Sequence, residues 1–172
     1  MVAAAICAIF PFCLAMAAFT DLFSMTIPNR ISLALIVAFP VAAVLAGLPL
    51  ADIGLHVGAA AAVFAVCLAL FAANVMGGGD AKLLTASALW FGLNMSLLEF
   101  AIYVSFIGGL LTVVIVILRS QAQLIHAMGL NLPGSVLMAK KIPYGIAIAI
   151  GGFLAYPSSP VAQALLAQSA LW

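Results

Sequence analysis

Charge is almost missing from this chain. Its 172 residues hold five Lys/Arg and four Asp/Glu, 5% in all, where an ordinary globular domain carries about 25%. A water-soluble surface needs roughly 25–35% charge, so the shortage excludes a soluble enzyme, a nucleic-acid binder and a disordered linker. Cysteine is scarce as well: Cys7, Cys13 and Cys67 lie in apolar stretches with no CxxC pair, which suits helix packing and not a redox or zinc site. Phosphate-cradling patterns of the P-loop or dinucleotide type are absent. The apolar runs also lack the alternation of a β-barrel strand. What fills the chain is hydrophobic, 68% of residues with a mean hydropathy of +1.39. This is an integral membrane protein.

A bilayer core is about 30 Å thick and takes roughly 20 apolar residues of helix to cross. The charges cut the chain into uncharged stretches 1–20, 31–51, 53–79, 83–98, 100–118 and 142–172. The expected fold is therefore an all-α polytopic membrane protein of about six transmembrane helices, the fourth one short. The uncharged stretch 120–139 reads differently, because Gln121, Gln123, His126, Asn131 and Pro133 interrupt it. It suggests an interfacial helix around 120–132 followed by a loop. Pro157-Ser158-Ser159-Pro160 should end the sixth helix and leave 161–172 as a short amphipathic piece ending in an interfacial Trp172. The first span resembles a signal peptide at Ala15-Met16-Ala17, but no basic residue precedes Arg30, so it reads as a retained helix.

Six spans put Arg30, Lys82, Arg119, Lys140 and Lys141 on one side, and these are all the basic residues. The other side has Asp52, Glu99 and both termini. The positive-inside rule then places the 21–30 and 76–82 loops in the cytoplasm and both termini outside.

Acids at membrane depth cost about 2.5–3.5 kcal/mol on insertion scales and are functional candidates by default. Asp52 and Glu99 are expected at solvated helix ends, and Arg119, Lys140 and Lys141 as topology anchors. Asp21 and Asp80 differ. Asp21 ends the first span amid apolar neighbours, and Asp80 follows Gly77-Gly78-Gly79 at the start of the fourth. Both fall near the cytoplasmic face. Two carboxylates meeting there would hold one proton between them, so one could activate water while the other polarises a peptide carbonyl. The glycines would let the backbone turn with φ > 0 and approach an extended peptide. Asp80, near a helix N-terminus, is expected to be the anion. Lys82 either lowers the Asp80 pKa further or anchors the helix. No second His or Cys accompanies His126 at metal spacing, and neither His56 nor His126 shares a face with a plausible serine. No metal or organic cofactor is implied.

Three blocks in order resemble the type IV prepilin peptidase family of GxGD membrane aspartic peptidases. Asp21 is followed by Ile27-Pro28-Asn29; Gly77-Gly78-Gly79-Asp80-Ala81-Lys82 is similar to the GxGDxK block; Ile142-Pro143-Tyr144-Gly145 is similar to the late P-Y/F-G/A segment. The resemblance implies a single transmembrane peptidase domain over 1–172, with Asp21 and Asp80 catalytic. It implies a prepilin substrate whose short basic leader stays in the cytoplasm while its hydrophobic helix spans the bacterial inner membrane, cut just after a Gly. Gly77, Gly78, Gly79, Lys82, Pro28, Asn29, Pro143 and Tyr144 become candidate substrate contacts. Pro28, Pro143 and Tyr144 equally suit loop-to-helix entries and an interfacial aromatic. The extra domain with paired CxxC motifs found in bifunctional members is missing, so the chain looks like the short, peptidase-only members of Tad/Flp-type pili, without methyltransferase activity. The main alternative is an ion- or proton-coupled transporter using intramembrane Asp residues. A lipoprotein signal peptidase fits the charge map poorly, and a non-catalytic assembly subunit leaves both acids without purpose.

Overall fold

The computed structural model describes residues 2–121 and 142–169, and every regular element among them is helical. The order is α1 (Val2–Ser24), α2 (Asn29–Leu45), α3 (Leu50–Ala72), α4 (Gly78–Phe91), α5 (Met95–Ser120), α6 (Gly145–Ala155), a 3₁₀ turn (Tyr156–Ser158) and α7 (Pro160–Ser169). Pro28 and Pro49 stand immediately before α2 and α3 in extended conformation, where a fixed φ suits helix entry. Gly47 and Gly92 take φ of +69° and +73° just past α2 and α4, a backbone that side chains with a Cβ resist.

Three helices are long and apolar enough to cross a bilayer: Ala5–Ser24 of α1, all of α3 and all of α5. The α6–α7 pair, bent by 52°, makes a fourth when counted as one broken span. The expected six therefore divide into these four and two shorter helices, α2 with 17 residues and α4 with 14. The fourth is shorter than its uncharged stretch suggested because Gly92 stops it and Asn94 starts α5. The Asn94 side chain accepts the Ser96 N–H at 2.8 Å, an N-cap. Glu99 consequently lies within α5, not between two helices. The interfacial helix expected around 120–132 and the Trp172 anchor lie outside the described residues, as do Lys140 and Lys141.

Outward faces are large and apolar: Phe12, Phe19, Val44 and Phe106 are all well exposed. Inward positions are often small, among them Ala17, Ala42, Ala59, Ala86 and Gly151. That inversion suits lipid, which offers no hydrophobic drive for helix association and favours close backbone approach. A Cβ on Gly151 would lie 2.7 Å from Val104 of α5, so glycine there sets the α5–α6 distance.

The aromatic core surrounds the C-terminal end of α4. Phe10 stacks on Tyr156 with centroids 4.6 Å apart, Phe91 stacks on Phe100 at 4.7 Å, and the Trp90 indole N–H donates to the Leu35 carbonyl at 3.2 Å. The 161–172 tail does more than expected: Val161, Ala162 and Leu165 of α7 are buried against the bundle. Ser159 makes this possible, donating its hydroxyl to the Trp90 carbonyl at 2.9 Å and accepting the Ala162 N–H at 3.2 Å. Trp90 and Asp80 are ten positions apart on α4, or about 15 Å. The rigid core and the acidic end of the bundle are thus separate.

Candidate active site

Asp21 sits in the last turn of α1 and is 6% exposed. The helix closes just beyond it: Thr20 and Ser24 hydroxyls donate back to the Met16 and Thr20 carbonyls at 2.9 and 2.6 Å. Met25 then takes a left-handed φ of 54°, turning the chain toward Ile27 and α2. A buried carboxylate needs a donor. It has one in the Gly145 N–H, which donates to Asp21 Oδ2 at 2.7 Å. The first residue of α6 thereby holds the acid of α1.

Asp80 is the third residue of α4, with Gly77 as the N-cap. None of Gly77, Gly78 or Gly79 has positive φ; Gly77 is extended at −74°. The φ > 0 turn expected at these glycines does not form. What these positions require is space. A Cβ on Gly77 would stand 2.9 Å from Asp80 Oδ2, one on Gly78 3.4 Å from the Phe71 ring, and one on Gly79 3.3 Å from Ile27 Cβ. The glycines let the Asp80 carboxylate fold back over the helix start and let α4 approach both α3 and the α1–α2 loop.

Asp21 and Asp80, 59 positions apart in sequence, line one cavity of about 250 Å³ with Thr26, Asn29, Lys82 and the three glycines. A water molecule takes about 30 Å³ of liquid, so the space admits several waters or a stretch of extended peptide. The positive N-terminal end of α4 opens on the same cavity. Lys82 Nζ donates to Asn29 Oδ1 at 3.0 Å, tying the start of α4 to the start of α2.

A larger cavity of about 780 Å³ begins at Gly77, Gly78 and Asp80 and continues past Met76, Thr112 and Tyr144. Tyr144 immediately precedes α6, and its ring and hydroxyl rest on Gly108 of α5, where any side chain would overlap them. Burial, and after it the charge of Asp80, pushes the Tyr144 phenol above its ordinary value.

Seven of the ten candidate residues from the sequence therefore line the smaller cavity, and Tyr144 lines the larger. Pro28 instead precedes α2 on the exposed side, and Pro143 is fully buried beneath the start of α6; neither lines a cavity described here. Gly145, Gly108 and Ile142 went unnoticed as site residues. Ile142 and Gly145 had a signal, standing at the two ends of the Ile142-Pro143-Tyr144-Gly145 block, whereas Gly108 lies in an apolar run with none.

No curated protein and no solved structure matches the chain. A profile of the type IV leader peptidase family matches residues 8–117, which covers most of α1, all of α2 to α4, most of α5 and both Asp21 and Asp80. With more than half its length matched, the chain belongs to the type IV leader peptidase family.

Proposed function

We propose that this membrane-embedded peptidase is an aspartic endopeptidase that removes the short basic leader of type IV prepilins, with Asp21 and Asp80 as its catalytic dyad. The observation that carries the reading is their joint lining of one cavity, from two helices, in a chain of this family. Asp80 acts as the anion: it lies in the first turn of α4, where the helix dipole favours negative charge. Asp21, holding the Gly145 N–H on Oδ2, presents a protonated carboxyl to the substrate.

Asp80 takes a proton from water as the water oxygen bonds to the scissile carbonyl carbon. Asp21 gives its proton to the carbonyl oxygen, and a neutral gem-diol forms. Asp21 then withdraws a proton from one hydroxyl while Asp80 returns its proton to the amide nitrogen. The C–N bond breaks, giving a carboxylic acid and an amine, and both acids return to their starting states.

The glycines, Asn29 and Lys82 would flank the bound peptide, since they share the cavity with both acids. Lys82 sits beside it, with Arg30 next to Asn29 and Arg119 at the end of α5. By the positive-inside rule this end faces the cytoplasm of a bacterial inner membrane, six crossings leaving both termini outside. The substrates are Tad/Flp-type prepilins, those of the family members that the three sequence blocks resemble most. A cleavage assay in membranes with such prepilins tests this: the account expects a shortened pilin. Intact prepilin, with proton flux in liposomes that Asp21→Asn abolishes, would instead support transport.

A further inference from the structure

A third cavity, of about 810 Å³, runs between α3 and α5 and is apolar almost throughout. It exists because these helices pack elsewhere, α3 on α4 and α5 on α6, leaving a trough with α4 beneath it. Cys67, Phe100 and Val104 form a buried floor, while Val66, Leu98 and Met95 are exposed along the rims at 61%, 51% and 73%. The trough extends from Leu93 and Met95 beyond the C-terminal end of α4 to Met76 just before its start. The 14 residues of α4 make that about 20 Å at 1.5 Å per residue.

Its inner end adjoins a second cavity. Leu70, Met76 and Tyr144 line both this trough and the 780 Å³ cavity, and that cavity ends at Asp80. The trough therefore adjoins the cavity of the acid across these three residues, and the one charged group on the two linings, Asp80, lies at the inner end. Small residues, Ala62 on α3 and Ala101 and Ser105 one turn apart on α5, line its wall. In lipid such residues let a further helix come close enough for van der Waals packing.

We propose that the α3–α5 trough is the docking site for the hydrophobic helix of the substrate. The helix lies sideways from the bilayer against Ala62, Ala101 and Ser105, with its N-terminal end at Tyr144. The chain preceding that end then leaves the helix and reaches Asp80 as extended peptide. The proposal rests on the leader-peptidase reading above and adds where the uncleaved portion of the substrate binds. About 20 Å of trough holds roughly 13 residues of helix; the remainder of a spanning helix projects beyond Met95.

Site-directed cross-linking in membranes tests it. Cys7, Cys13 and Cys67 are replaced by Ala, the reaction is stopped with Asp80→Asn, and Val66→Cys or Leu98→Cys is paired with single cysteines along the substrate helix. The probe is a synthetic chain of a short Lys/Arg leader, a junction glycine and a Leu/Ala/Val helix. Disulfides from both sites, recurring at every third or fourth substrate position, are expected, and none from Val114→Cys outside the trough. In the otherwise native enzyme, Ala101→Trp should lower cleavage of the same probe at least about tenfold, a factor worth 1.4 kcal/mol of binding. Cleavage by the native enzyme with no disulfides above the Val114→Cys level overturns the docking site and leaves the peptidase reading standing; lipid or another part of the chain filling the trough gives that result. Cleavage by Ala101→Trp at the native rate overturns it equally. A native enzyme that leaves the probe uncut removes the peptidase reading, and the docking site falls with it.

Discussion

The Gly145 amide donates to the Asp21 carboxylate at 2.7 Å across 124 positions of sequence. That bond ties the first helix of the bundle to the start of α6, and with it the orientation of a candidate catalytic acid. A Cβ on residue 145 would approach Asp21 Oδ2 to 2.9 Å and Ile27 Cδ1 to 3.1 Å. Gly145→Ala must therefore displace the carboxylate. Misplacing a reacting group by 1 Å can cost about 100-fold, so cleavage should fall by one to two orders of magnitude while the protein still inserts. Quantifying product against enzyme in membranes checks this.

Tyr144 and Gly108 form a second such pair. Because the ring occupies the space of a Gly108 side chain, Gly108→Ala should cost about 1–3 kcal/mol by overpacking. Adding Tyr144→Ala should recover most of that loss in thermal unfolding, since the two sites are in contact. In activity, Tyr144→Ala should be poor, for the ring lines both larger cavities, and Tyr144→Phe close to native.

The pH profile carries a related expectation. Burial and the Asp80 charge raise the Tyr144 phenol, so it stays neutral through its ordinary value of about 10. The alkaline side of the cleavage profile should be unchanged in Tyr144→Phe up to that pH. Above it, the unfolded chain loses the proton first, so this residue's share of stability, complete below about pH 10, declines as pH rises through the raised folded value.

His56 is expected to matter for stability and not for cleavage. Its ring is buried, donates from Nδ1 to the Leu89 carbonyl at 2.6 Å, and packs on Phe39 with centroids 5.2 Å apart. His56→Ala leaves that carbonyl without its donor, a loss of about 1–3 kcal/mol, visible as a lower Tm in detergent. Gly92→Ala should act in the same direction, because φ is +73° and a Cβ would sit 3.0 Å from the His56 ring.

Much of the candidate site was legible before the fold. Asp21 and Asp80 stand out because charge is so rare here that two acids beside apolar runs are conspicuous, and the three glycines mark a tight approach. The reason for that approach was not legible: whether glycine serves φ or space depends on Phe71 and Ile27, which arrive from other helices. Gly145 and Gly108 escaped for the same cause. Their partners, Asp21 and Tyr144, lie far away in sequence, and an apolar helix start looks alike with or without them. Helix count suffered from a different gap. Hydropathy measures the uncharged stretches, whereas Gly92, Asn94 and Ser159 decide where helices stop and which residues pack, and so α4 is shorter and α7 more buried than the stretches suggested.

The central claim is that Asp21 and Asp80 divide the acid and base work of one reaction, and cleavage by two single variants tests it most directly. Asp21→Asn and Asp80→Asn, each inserted at the native level, are incubated in membranes with a prepilin that the native enzyme shortens. Losing a positioned acid or base costs about 10²–10⁴-fold, so the account predicts no shortened pilin from either. Substantial cleavage by either variant would contradict it.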